Sequence, residues 1–330
     1  ITTLAGRVEN FADGTGQDAE FKSFNFYSGN LRVSGTDIYV IDDQRIRKVD
    51  SATGAVSTIQ ISTHPYDMQQ WTTLGTDIFY YNEDYYTNPY TRKIFKLSPD
   101  GSVNELVLNN YTIEGSVYGL TSDGTDLLFG EYNENTIKYL RVAVDTGVVT
   151  SYTAAGENLS YISSMEVIGD SLYAINSTSD IYKIELFGTT ATVSKVTLSG
   201  LDTSSGVYFK KMASSGDVLY LSYTSSIYSV TLAEGQGGTT TGTVTEIEPS
   251  FTAASYYNTG SEVQFSYFND LVAIGTGIYF PDSSNKLIRK IDTTTSNITT
   301  LAGRVENFAD GTGQDAEFKS FDFYSGNLRV

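Results

Sequence analysis

The chain has 330 residues, with 39 Asp plus Glu against 21 Lys plus Arg and a formal net charge of −18. That field repels phosphate backbones and anionic lipid, which argues against nucleic acid and membrane surfaces as partners, and no run approaches the ~18 apolar residues of a membrane-spanning helix. With no cysteine and a single histidine, His64, disulfides, thiolate catalysis and Cys/His zinc sites are excluded together.

The chain opens at Ile1 without a methionine or a signal peptide and reads as a piece of something longer. Residues 1–33 recur at 298–330 with one change, Asn25 to Asp322, which is 32 matches in 33 at an offset of 297. The near-identity predicts a recurring unit of 297 residues, of which the chain holds one and the start of the next. The expected organisation is a junction segment at 1–23, repeated at 298–320, a propeller at 24–301, and a linker with the first strand of the next unit at 302–330.

Inside the unit a glycine turn recurs between apolar strands. It reads Gly35-Thr36-Asp37, Gly75-Thr76-Asp77 and Gly124-Thr125-Asp126, then more loosely Gly169-Asp170-Ser171, Gly216-Asp217-Val218 and Gly275-Thr276-Gly277. The glycines are spaced by 40, 49, 45, 47 and 59 residues, and 57 more reach the next unit's equivalent of Gly35, so six turns fill 297 residues. About ten residues after each turn comes an alternating strand, as in Arg45-Ile46-Arg47-Lys48-Val49, Lys93-Ile94-Phe95-Lys96-Leu97 and Leu287-Ile288-Arg289-Lys290-Ile291. Period-two alternation marks strands with one buried face. A turn such as Ala52-Thr53-Gly54 then leads to a polar β-branched strand, and no segment carries a sustained 3.6 period with caps. Four-stranded units at 40–59-residue intervals predict an all-β fold, a six-bladed β-propeller of four-stranded antiparallel blades.

Leu4-Ala5-Gly6, Phe11-Ala12-Asp13-Gly14-Thr15-Gly16, Ala19, Phe21, Gly35-Thr36-Asp37-Ile38-Tyr39-Val40 and Arg45-Ile46-Arg47-Lys48-Val49-Asp50 resemble the NHL-repeat propeller motif. The match is good over 1–60 and again over 287–330, and reduces to the hairpin skeleton between them. The resemblance implies six blades and no particular activity, because propellers host many functions. Lyases among NHL-like propellers use several metal-bound histidines, which one histidine cannot supply, and the arginine triad and Asp boxes of sialidase propellers are not found.

Candidate site residues are few. Asp13, Asp18 and Glu20 place three acids and glycines within eight residues, recurring at Asp310, Asp315 and Glu317; oxygen ligands on such a loop suit Ca²⁺, although the spacing is not that of an EF-hand. No other cofactor is expected. His64 precedes Pro65 in a between-blade turn and reads as a surface residue, with no Gly-x-Ser-x-Gly elbow to build a triad on. Tyr80, Tyr81, Tyr85, Tyr86, Tyr90, Tyr256 and Tyr257 are candidate aromatics for a glycan or a protein interface. Asn110, Asn158, Asn176 and Asn297 fit the N-glycosylation pattern. Leu4, Phe11, Phe21, Leu31 and Val33, with Leu301, Phe308, Phe318, Leu328 and Val330, are the junction candidates, through which a neighbouring copy supplies a covalent or strand-exchanged continuation. The expected function is a non-enzymatic, extracellular structural protein, a fibre or matrix of tandem propellers whose partner is itself. An adhesin or glycan-binding module is the alternative, and a propeller enzyme the second alternative.

Overall fold

A computed structural model describes residues 11–22, 31–42, 45–59, 68, 70–84, 91–157, 159, 161–200, 209, 211–223, 226–247, 250–251, 270–282 and 286–303. Among them are strands and two three-residue 3₁₀ turns, Gly16–Asp18 and Gln236–Gly238, with no α-helix.

Each recurring glycine turn joins an inner strand to a second strand. The inner strands are Leu31–Ser34, Gln70–Leu74, Ser116–Ser122, Ile162–Ile168, Lys211–Ser215 and Val272–Ile274. Gly35, Gly75, Gly124, Gly169, Gly216 and Gly275 all have positive φ, between 55° and 92°, and open space where a Cβ would stand. Glycine is needed there for its backbone conformation and not for room. In the first meander, Leu31–Ser34 pairs with Asp37–Asp42, then Arg45–Asp50, then Ala55–Ile59, all antiparallel. The other five repeat this order.

Each meander has the expected four antiparallel strands, and connecting chain adds to some of their outer edges. In the first, fifth and sixth meanders the outer strand also pairs with a short piece of the incoming chain, Gly14–Thr15, Thr197–Ser199 and Ser250–Phe251. The third and fourth meanders are joined into one eight-stranded sheet, because the long outer strand Val149–Gly156 runs parallel to Thr190–Lys195. The outer edge of a blade would otherwise expose unpaired N–H and C=O groups, and the connecting chain covers it.

The core lies between meanders. Five apolar clusters each straddle two consecutive ones, such as Tyr39, Ile41 and Ile46 against Trp71, Ile78 and Tyr80. Another joins the sixth to the first, setting Val272, Tyr279 and Ile288 against Leu31, Ile38 and Val40. Each blade thus buries both faces and the series closes on itself. The fold is an all-β propeller.

Candidate functional site

Two places concentrate polar chemistry: the seam where the ring closes, and the central channel. At the seam, residues 11–22 form a plug. Ala12 and Glu20 exchange two backbone hydrogen bonds, of 3.2 and 3.0 Å, folding the intervening residues into a loop. The Gly16 N–H donates to the Gly54 carbonyl (3.1 Å), and the Gly16 carbonyl accepts from the Gly303 N–H (3.0 Å), so the plug bridges the first blade and the end of the sixth. Ala19 and Phe21 insert into the apolar cluster between those blades.

Arg47 latches the plug. Its side chain is wholly buried and pairs with the equally buried Asp42 at 2.8 Å and with Asp13 at 3.1 Å. Nη1 donates to the Glu20 carbonyl (3.0 Å) and Nη2 to the Ala12 carbonyl (2.6 Å). The guanidinium also lies 5.4 and 5.1 Å from the ring centroids of Phe11 and Phe21, and Arg45 sits 3.5 Å over Phe11. Asp42 accepts from the Lys22 N–H (2.7 Å), and Asp13 from the Thr58 N–H and hydroxyl. A buried cation is tolerated when its donors are used, and here Nη1 and Nη2 are both taken by carboxylates and plug carbonyls while the buried Nε has no hydrogen-bond partner.

The channel is a cavity of about 340 Å³ lined by all six inner strands. Its walls are mostly Ser, Thr and small apolar residues, but Arg32, Gln70, Glu166 and Lys211 converge on it, with the buried Asp270 behind Arg32 at 3.6 Å. Arg32 is oriented by the carbonyls of Trp71 (2.7 Å) and Leu31 (2.6 Å) and stacks over the Trp71 ring at 5.1 Å. Asp270 is held by the Leu31 N–H (2.6 Å). Glu166 accepts from the Ser214 hydroxyl (3.2 Å), and Lys211 donates to the Ser163 carbonyl (3.2 Å). Burial pushes the Glu166 carboxyl up to about 7, against the opposing pull of Arg32 and Ser214. Burial also pushes the Lys211 ammonium down, with Asp270 opposing.

Sequence reasoning missed these groups, although a signal was present. Arg32 and Glu166 both stand three residues before a turn glycine, and Gln70, Lys211 and Asp270 five before. Charges at a fixed offset from the turn mark the channel wall.

The expected site residues fall out as follows. Of the junction set, Phe21 and Leu31 are buried and Phe11, Val33 and Leu301 partly so, and all five lie at or beside the seam. Leu4, Phe308, Phe318, Leu328 and Val330 lie outside the described residues. Residues 11–22 are packed into the ring itself, not set apart from it as a junction segment. Asp13, Asp18 and Glu20 are not gathered into a metal-holding group, since the Asp13 carboxylate is taken by Arg47 and Thr58; no group of three candidate ligands occurs among the described residues.

Tyr80 and Tyr81 correct the aromatic expectation. Both are buried; Tyr80 stacks on Phe95 at 5.5 Å, and Tyr81 donates to Glu83 within the core between the second and third blades. Their strand is covered on both faces, Tyr80 packing toward the first blade and Tyr81 toward the third. Tyr85, Tyr86, Tyr90, Tyr256, Tyr257 and His64 lie outside the described residues. Asn176 is also corrected as a glycan acceptor. It is buried, and its Oδ1 accepts from Thr178 and Asp180 in a tight turn. Asn110 is exposed at a positive-φ turn and Asn297 half-buried at the start of an outer strand, while Asn158 is outside the described residues.

No family model matches the chain, and no curated protein matches it. Solved structures do. The tricorn protease matches at 14% identity and TM-score 0.51, over 85% of this chain and 27% of that one. The gluconolactonase XC5397 from Xanthomonas campestris matches at 9% identity and TM-score 0.51, over 84% and 93%. The computationally designed protein Ika8 matches at 15% identity and TM-score 0.47, over 92% of each chain. At such identities the first two likenesses speak for the propeller fold and for nothing finer.

Proposed function

We propose that the chain is one unit of a tandem array of NHL-like, six-bladed propellers, serving as a non-enzymatic structural component outside the cell. One observation carries the reading. The seam needs a single copy of residues 11–22, yet the sequence holds two, 297 residues apart. A second copy is surplus to one ring and is what the start of a next unit would be. The low proportion of charged residues and the absence of cysteine suit a stable matrix material. The test is the length of the polypeptide made by the source cell. Immunoblotting with an antibody against the unit should detect a chain of several multiples of about 297 residues, accessible to protease added to intact cells. A product no longer than the present chain, or one protected inside the cell, would overturn the reading.

A second reading is favoured by one feature. Arg32, Gln70, Glu166 and Lys211 face a polar channel large enough for a small ligand. On this reading the ring is a binding module for a small polar molecule such as a saccharide, and tandem copies raise avidity. A glycan array read with wild type and Lys211→Met would show a hit lost in the variant; no hit at all would remove it. Enzymatic chemistry is the weaker use of the same groups, with one histidine and no cysteine in the chain.

A further inference from the structure

We infer that the seam slot accepts either of two plugs of the same chain, Phe11–Lys22 or its identical copy Phe308–Lys319, and that exchange between them sets the length of the connector between units. The two segments have the same twelve residues, FADGTGQDAEFK, so each group used by the slot is present in both. Asp310 stands for Asp13, Ala316 for Ala19 and Phe318 for Phe21. Most of what the slot grips is main chain, the carbonyls of Ala12, Gly16 and Glu20 and the N–H groups of Gly16 and Lys22.

The second copy starts at the right place. The Gly303 N–H is bonded to the Gly16 carbonyl, so the chain leaves the sixth blade at the plug itself. Phe308 is five residues farther on, a reach of up to about 17 Å.

The consequence for an array rests on the tandem reading above; the exchange itself does not. With Phe11–Lys22 in its own ring, successive rings are tied by residues 304–307, between Gly303 of one ring and the plug of the next. With Phe308–Lys319 seated in the preceding ring, the tie becomes residues 320–327, before Leu328, the sequence copy of Leu31. Its span rises to about 30 Å. Each junction therefore has a short and a long register of nearly equal free energy, since the same contacts are made in both. Tension along the array favours the long one.

The 330-residue chain tests this directly by plug knockout. Phe21→Asp disables the first copy, Phe318→Asp the second, and the double variant both. Thermal unfolding of Phe21→Asp should stay close to wild type, with less than a third of the loss seen in the double variant, and Phe318→Asp should be unchanged. Phe21→Asp should also remain monomeric by light scattering. If Phe21→Asp loses as much as the double variant, or if the double variant loses nothing, the exchange is refuted. A Phe21→Asp chain that survives only as a dimer would place the second plug in a partner ring and overturn the intrachain arrangement. None of these outcomes depends on how many units the natural polypeptide holds.

Discussion

The first and sixth blades carry the same buried ion pair in the same register, and use it differently. Arg47 stands opposite Val40 and pairs with Asp42; Arg289 stands opposite Phe280 and pairs with Asp282 at 3.1 Å. All four side chains are nearly or wholly buried. Both blades end their third strand in the same turn, in which an aspartate, Asp50 or Asp292, accepts from the N–H and hydroxyl of a threonine three residues on, Thr53 or Thr295. Hydrogen bonding from Thr53 holds the Asp50 carboxyl below the usual carboxylate range, and hydrogen bonding from Thr294 and Thr295 does the same for Asp292. Beyond this shared frame the blades part. Arg47 also donates from Nη1 and Nη2 to the plug carbonyls of Glu20 and Ala12, whereas Arg289 Nη1 donates to the Thr300 hydroxyl of its own sheet at 2.6 Å. One scaffold therefore makes a latch when an incoming segment supplies carbonyls, and a strut when its own outer strand supplies a hydroxyl.

The largest expected effect breaks the latch. Arg47→Met leaves Asp42 buried without its cation and strands the plug carbonyls, a loss of about 3–5 kcal/mol. Arg289→Met should cost at least 1 kcal/mol less, because no inserted segment is released. Urea unfolding of the two variants side by side measures the difference, and equal losses would mean that the plug contributes nothing through Arg47. Replacing the pair by Arg47→Met with Asp42→Leu should recover part of the loss, since the stranded charge is then gone.

The next effect is steric and separates the same two blades. Gly54 has φ +72°, and a Cβ there would collide with the Leu301 carbonyl oxygen of the sixth blade, beside the Gly16 N–H. Gly54→Ala adds a left-handed backbone penalty to a clash with main chain that cannot step aside. About 2–4 kcal/mol should be lost, with proteolysis appearing first within residues 11–22. Unchanged stability would show that the seam yields freely.

Much of this frame was legible beforehand. The glycine turns and alternating strands predict the blades because the two-residue turn and the period of two are local demands, met residue by residue. The repeat of residues 1–33 pointed to the seam. The latch was not legible, because Arg47 reads as one more polar position in Arg45-Ile46-Arg47-Lys48-Val49, and only the folded ring shows that Ala12 and Glu20 come to it. The channel charges escaped for the same reason, since strands more than 40 residues apart bring them together. Tyr80 and Tyr81 were misjudged because a burst of tyrosine looks like surface when the neighbouring blade that covers it cannot be seen.

A third expectation contrasts the paired charges of the blades with the channel. Glu166 has a folded-state pKa raised above its unfolded value, so the native state binds the extra proton and stability falls as pH rises from about 4.5 to about 7. Glu166→Gln removes that penalty. It should stabilise the ring at pH 8 by about 1–3 kcal/mol, reduced from the full shift because channel water reaches the carboxyl, and by less at pH 5. Denaturant titrations at the two pH values decide it; an equal gain at both would assign the effect to packing instead of charge.

The smallest effect returns to the two matching turns. Ser296 occupies in the sixth blade the place of Gly54 in the first, four residues after the turn aspartate, and it too has positive φ, +58°. Each closes its turn in the same way, the Gly54 N–H donating to the Asp50 carbonyl at 2.9 Å and the Ser296 N–H to the Asp292 carbonyl at 2.7 Å. The first blade needs glycine because the plug and Leu301 crowd the site, whereas the sixth blade accepts a Cβ and the conformational cost that comes with it. That cost is about 1 kcal/mol for an L-residue in the left-handed region, partly offset by the extra freedom glycine has when unfolded. Ser296→Gly should therefore raise stability by about 0.5 kcal/mol, in the opposite direction to Gly54→Ala, and differential scanning calorimetry should show a small upward shift in Tm. A fall on Ser296→Gly would mean that the serine side chain holds the sixth blade, and that the two turns are alike only in their backbone.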